Sequence, residues 1–310
     1  MLHVIFVHGI GNKVSPPALT QSWLQALSAG PTGVDLGAGT VSCSMVYWAD
    51  VLYSAPEPDS TVFRDYLRAN RSAVAVPVAA NSEEAKFLSD LALKMGAALA
   101  SVETIQRFSE LGILESFPSP FLREPWSAKK IFMETFLRDV HHYLFNVSHS
   151  PRPGVTFHVQ DEIRKRFEET LLNAPKDTTR HVVLGHSMGS VIAYDCLKRL
   201  KGMSVDSFLS IGSPLGLDEI QDRLTPEWTA KDGFPSERLS NRWINFFDRM
   251  DPVAAFDPFL ADDYQYNGKK LVQDVEVRNL GEWRHSATGY FAANDFRRAL
   301  RELLEVDGPH

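Results

Sequence analysis

The chain has 310 residues, enough for one large domain or for one domain carrying a substantial insertion. Hydrophobic residues make up 44% and charged residues 23%, which excludes wholesale disorder. The net charge of −7 argues against nucleic acid as a partner, because phosphates repel an acidic surface, and it favours solubility without bearing on fold.

Residues 2–7 form a short apolar run that predicts a buried strand, ended by Gly9, Gly11 and Asn12. The run lacks the basic flank of a secretory leader, so it reads as the first core strand. Residues 19–27 have helical spacing. Residues 41–48 alternate, with Val41, Cys43, Met45 and Tyr47 on one side, and predict a second strand. Pro56, Pro58 and two acidic residues then mark a boundary at 54–60.

From there to about Pro153 no run predicts a buried strand. Residues 83–108 read as a long helix, because Phe87, Leu91, Met95, Ala98, Val102 and Ile105 recur at spacings of three or four. Pro118 and Pro120 interrupt the chain. Residues 128–145 read as another helix, with Phe132, Phe136, Val140 and Tyr143 on one stripe. Pro151, Pro153 and Gly154 punctuate its end. The longest apolar stretch, 91–102, contains Lys94 and is too short to span a bilayer. With no leader visible, a cytoplasmic location is expected.

Afterwards strands and helices alternate. Residues 160–172 predict a charged amphipathic helix, 181–185 a strand, 190–200 a helix and 205–211 a strand before the turn Gly212-Ser213-Pro214. Residues 243–247 and 275–279 predict further strands, and 290–304 a closing helix. This rhythm predicts an α/β fold with a mostly parallel central sheet flanked by helices. The expected division is a main domain of residues 1–53 and 154–310 around a helical insertion at 54–153.

The segment Gly185-His186-Ser187-Met188-Gly189 follows the apolar Val182-Val183-Leu184 and opens the helical pattern of Val191, Ile192 and Tyr194. A serine on a tight strand-to-helix turn stands clear of the backbone, and the helix behind it points its positive end at developing negative charge. In these residues the chain resembles the α/β-hydrolase superfamily, more narrowly its lipases and esterases. Ser187 matches the nucleophile, and His8-Gly9-Ile10-Gly11 is similar to the loop that forms one side of the oxyanion hole. The resemblance implies that the Met188 amide and one amide of that loop hold the oxyanion. Ile10 matches best and Gly11 next.

The family's chain order is serine, acid, histidine. After Ser187 only His285 and the terminal His310 remain, which nominates His285 as the base. For the acid, Asp251 matches the family's pattern after the preceding strand, and Asp248, closer to the strand end, is the rival. The resemblance covers residues 1–50 and about 155–305. It implies hydrolysis of a carboxylic ester, with an apolar acyl group, through an acyl-enzyme intermediate on Ser187, Asp251 and His285. It implies no cofactor and no metal. The expected partner is a small-molecule or lipid-like ester. A thioesterase, phospholipase or peptidase with the same triad fits the motifs too, as does a catalytically silent interaction protein on this fold.

Other features read more plainly. His186 packs or hydrogen-bonds beneath the turn. His141, His142, His149 and His158 match no metal spacing. Ser213 reads as a turn residue, and Asp257, Asp262 and Asp263 are too loosely spaced for calcium. Cys43 and Cys196 read as buried reduced thiols. The apolar stripes of the insertion fit either an ordinary helical subdomain or a cap facing an acyl chain. In the second reading its 117–122 tip makes transient contact with a membrane or lipid interface.

Overall fold

Leu2–Val7 is buried at every residue, and it pairs residue for residue with a strand on either side. The computed structural model describes residues 1–37, 41–58, 77–110, 126–199, 202, 204–224, 230–279 and 283–305. Its central sheet has six strands: β1 (Leu2–Val7), β2 (Val41–Val46), β3 (Arg180–His186), β4 (Val205–Ile211), β5 (Leu239–Phe247) and β6 (Gln273–Glu276). They lie in the order β6-β5-β4-β3-β1-β2, and every neighbouring pair is parallel. A parallel sheet needs cover on both faces, and the helices supply it. They are α1 (Pro16–Ser28), α2 (Ser82–Glu110), α3 (Trp126–Leu144), α4 (Val159–Leu172), α5 (Met188–Arg199), α6 (Ala287–Phe291) and α7 (Asn294–Glu305), with shorter turns between.

The two-residue period of the strands sorts the core into two layers. Leu2, Val4, Phe6, Val182 and Leu184 face α1, α6 and α7, packing on Leu19, Trp23, Leu27, Phe296 and Leu300. Trp23 meets the rings of Phe6 and Phe291 edge-on at 5.4 and 5.1 Å. Ile5, Val7 and Val183 face the other way, toward Leu91, Phe136, Ile163 and Ile192. The apolar stripes of α2 and α3 therefore belong to the same core layer as the sheet. Val102, Ile105 and the 117–122 tip lie outside the residues whose side chains are described. Among the described residues, no helix is long and apolar enough to cross a membrane.

Some elements differ from expectation. The closing helix is two helices, α6 and α7. Ser286 caps α6 by accepting from the Gly289 N–H, and Asn294-Asp295 favour a fresh start over a helix interior. Around Pro153-Gly154, where only a helix stop was predicted, Ser148–Arg152 and Val155–His158 form an antiparallel hairpin. Its residues are exposed or half-buried, so it carries no apolar signal. β5 starts earlier than predicted, and β6 is shifted to Gln273–Glu276, although Val277 still donates its N–H to Phe247 O at 2.8 Å. Cys196 is buried and Cys43 half-buried, and both are free thiols. Burial pushes the Cys43 thiol up to about 12.

Candidate active site

The chain leaves β1 toward β2 on one side, while β3 to β6 extend the sheet on the other. Loops at the carboxyl ends of β1 and β3 diverge at this reversal and leave a crevice. The sequence-nominated residues all arrive at this edge: Ile10 from the loop after β1, Ser187 from the turn after β3, Asp251 from the loop after β5, and His285 from the segment after β6.

Ser187 sits at φ 54°, in the left-handed region that a residue with a side chain occupies only at a cost of about 1–3 kcal/mol. Two backbone hydrogen bonds hold it there. Its N–H donates to Ile211 O at 3.0 Å, and its carbonyl accepts from the Ser190 N–H at 2.9 Å. The turn is also wedged against β1. A Cβ on Gly189 would stand 2.2 Å from Val7 O, so only glycine lets α5 start this close to the strand.

His285 Nε2 lies 2.8 Å from Ser187 Oγ, and His285 Nδ1 lies 2.8 and 2.9 Å from the two carboxylate oxygens of Asp251. All three residues are buried. Asp251 has four donors around it. Besides His285, the Tyr290 hydroxyl donates to Oδ2 at 2.6 Å, and the Val253 and Ala254 N–H groups donate to Oδ1 at 2.8 and 3.2 Å. Gly212 lets this group close up: at φ +56°, a Cβ there would stand 2.8 Å from Asp251 Oδ2 and 3.2 Å from His285 Nδ1.

Asp248 has different partners. Its carboxylate accepts from Met250 N–H (2.8 Å), Asn279 N–H (2.7 Å) and the Arg284 guanidinium (2.8 Å). Burial pushes its carboxyl up, against the lowering pull of those donors. It braces the segment that carries His285 and does not reach the imidazole. His186 does the same from below. Its Nε2 lies 2.8 Å from His285 O, and the two rings are 4.8 Å apart. Burial drives His186 well below its usual pKa, so the neutral ring donates Nε2–H to that carbonyl.

On the other side of the serine, the Ile10 loop is pinned from three directions. His8 accepts the Trp48 N–H at 3.0 Å through Nε2, which leaves Nδ1–H to donate to Gly9 O at 2.9 Å. Its ring stacks on Trp48 at 4.7 Å. The Lys13 ammonium donates to the carbonyls of Ile10, Gly11 and Asn12. Burial lowers it to about 8, although Asp139 and Glu57 pull it back up. Gly11 donates its N–H to Asp139 Oδ2 at 2.7 Å. That amide is engaged, whereas the Ile10 and Met188 amides have no acceptor among the described residues.

A cavity of about 200 Å³ opens beside Ser187 and His285, walled by Ile10, Lys13, Phe132, Thr135 and Trp283. Phe132 and Trp283 meet edge-on at 5.0 Å, and both rings approach that of His285, at 5.9 and 6.2 Å. Sequence reasoning did not single out Lys13, Thr135, Asp139 or Tyr290. The first three lie in or against regions whose docking the sequence does not disclose. One signal was legible: residues 132, 135 and 139 are spaced three and four apart, on one helix face.

The remaining candidates have other partners. His141 pairs with Glu84 at 3.1 Å, and His149 Nε2 donates to Leu52 O at 3.1 Å. Ser213 Oγ accepts from Ser190 Oγ at 2.7 Å and from Leu215 N–H at 3.2 Å, which makes it part of the support under the turn. Asp263 accepts from Gln221 at 2.8 Å.

No protein-family model matches the chain, and no curated protein matches it. A solved structure described as that of an uncharacterized protein from Pseudomonas aeruginosa aligns with 80% of this chain at 7% identity and a TM-score of 0.22. The chain spans about a third of that protein, 36% of its length, and the likeness is too faint to carry an argument.

Proposed function

We propose that the protein is a serine hydrolase of the α/β-hydrolase type that cleaves carboxylic esters with an apolar acyl group. The observation that carries this reading is the buried relay from Ser187 Oγ through His285 to Asp251, closed at 2.8 Å on both sides of the imidazole and open to the cavity. The all-parallel strand order and the left-handed serine on the turn after β3 support the fold assignment.

In this reading His285 Nε2 accepts the Ser187 proton as Oγ attacks the ester carbonyl. Asp251 holds Nδ1–H toward itself and stabilises the imidazolium. The Met188 and Ile10 amides take the oxyanion, helped by the positive end of α5. The imidazolium then protonates the departing alcohol, and His285 activates water to release the acid from Ser187. The aromatic wall of Phe132 and Trp283 favours an apolar acyl group over a charged one.

The test is hydrolysis of p-nitrophenyl esters from acetate to palmitate by the native protein and by Ser187→Ala, with fluorophosphonate labelling of both. Turnover and labelling by the native protein, both lost in the variant, are expected. A folded native protein that neither turns over any ester nor takes the label overturns the reading.

A further inference from the structure

Gly9, Ile10 and Gly11 are joined by two successive peptide groups, and a planar trans peptide points its N–H opposite to its carbonyl. In the first group, Gly9 O accepts from His8 Nδ1–H at 2.9 Å, so the Ile10 N–H points away from His8. In the second, Ile10 O accepts from the Lys13 ammonium, and the Gly11 N–H donates to Asp139 Oδ2 at 2.7 Å. Opposite charges thus grip the two ends of one peptide plane. The planes share the Ile10 Cα, so the grip on the second sets the place from which the first presents its N–H. Among the described residues, the Ile10 N–H is the polar end left over.

This loop lies against the nucleophile. A Cβ on Gly9 would stand 2.8 Å from Ser187 Cβ and 3.1 Å from His186 O, so a small shift of the loop is felt at the serine. The Lys13 ammonium also donates to Gly11 O at 3.1 Å and Asn12 O at 3.3 Å. It is spent on backbone carbonyls and acts through them rather than on a substrate. Water satisfies loop carbonyls without taking a charge out of solvent, whereas here an ammonium is kept at a desolvation cost that lowers it to about 8. Asp139 has a second cation, the Arg138 guanidinium at 2.6 Å from Oδ1, so a neutral residue at 13 does not strand the carboxylate.

We infer that Lys13 is a positioning residue for catalysis: with Asp139 it clamps the Ile10–Gly11 peptide, and the clamp holds the Ile10 amide where the oxyanion forms. This rests on the hydrolase reading. Loss of one oxyanion donor outright costs about 10²–10³ in kcat, so a donor present but badly aimed costs about 10- to 100-fold.

The experiment compares the native protein, Lys13→Met and Lys13→Arg on p-nitrophenyl butyrate, with 1,1,1-trifluoro-2-octanone and 2-octanone as inhibitors. Ser187 adds to the trifluoromethyl ketone, its proton passing to His285, and the resulting oxyanion needs the hole. The plain ketone is a weak electrophile and reports the apolar cavity alone. In Lys13→Met, kcat falls about 10- to 100-fold with KM within about threefold of native. Affinity for the trifluoromethyl ketone falls with kcat/KM, affinity for 2-octanone holds, and Lys13→Arg recovers most of the loss. The inference is overturned if Lys13→Met keeps kcat within about threefold of native, if it weakens both ketones equally, or if Lys13→Arg does no better. If Lys13→Met does not fold, Lys13→Gln takes its place under the same criteria. Failure of both neutral variants to fold makes the lysine a requirement of the fold and also overturns the inference. A native protein with no turnover on any ester and no fluorophosphonate labelling instead overturns the hydrolase reading, and the inference with it.

Discussion

Replacing Asp248 by Asn leaves the Arg284 guanidinium, 4% exposed, facing a neutral amide where its carboxylate stood 2.8 Å away. Removing one partner of a buried pair strands the other and costs about 3–5 kcal/mol. An unfolding entropy of about 2.1 cal/mol/K per residue over 310 residues converts this to a Tm lowered by roughly 5–8 °C. Three residues on, Asp251→Asn should behave in the opposite way. Its side chain keeps an oxygen for the Val253 and Ala254 amides, so its Tm falls by only about 2–3 °C. Its new NH2 faces His285 Nδ1, however, and favours the tautomer with the proton on Nε2, which does not accept from Ser187. The expected loss in kcat is about 10⁴-fold. Thermal unfolding followed by circular dichroism, alongside p-nitrophenyl ester turnover well below either Tm, separates the two. The reasoning is refuted if Asp248→Asn loses turnover with its Tm intact, or if Asp251→Asn retains kcat within about tenfold of native.

Gly189→Ala places a methyl group 2.2 Å from Val7 O and 2.6 Å from His8 O, both backbone atoms. It should destabilise the protein by about 4 kcal/mol or more, and a native-like Tm would refute the wedging of α5 against β1. Lys13 gives a pH signature: its folded pKa of about 8 lies below its usual 10.5. Below about 8 it is protonated in both states, and the cost of burying its charge is fully present. Between 8 and 10.5 the folded protein sheds that proton first, so stability should rise with pH across this window. Urea unfolding at several pH values should show this slope in the native protein and a flatter one in Lys13→Met. Equal slopes would refute it.

The parallel core was readable because buried strands are short, apolar runs between turn residues, as at 2–7 and 205–211. Ser187, Asp251 and His285 were nominated from local motif and chain order, and the structure brings their side chains together at hydrogen-bond distance. The choice between Asp251 and Asp248 needed coordinates, because both follow the same strand and only their partners differ. The hairpin at 148–158 escaped because its strands bury little. Tyr290 and Thr135 escaped for another reason: one reaches the site across 39 residues of chain, from Tyr290 to Asp251, and the other from a helix whose docking no local pattern encodes.

One helix carries both the wall of the cavity and a hold on the backbone opposite the serine. Phe132 and Thr135 of α3 face the space beside Ser187, and Asp139, one turn on, grips the Gly11 amide next to Ile10. Any displacement of α3 thus pulls on two things at once: what fits beside the serine, and where the amide ahead of Gly11 points. An attempt to reshape substrate choice by grafting in a foreign helical segment here would not yield a clean exchange of preference. Turnover number and selectivity would shift together, and a graft would need its own carboxylate at the Asp139 position before its effect on choice of ester became visible.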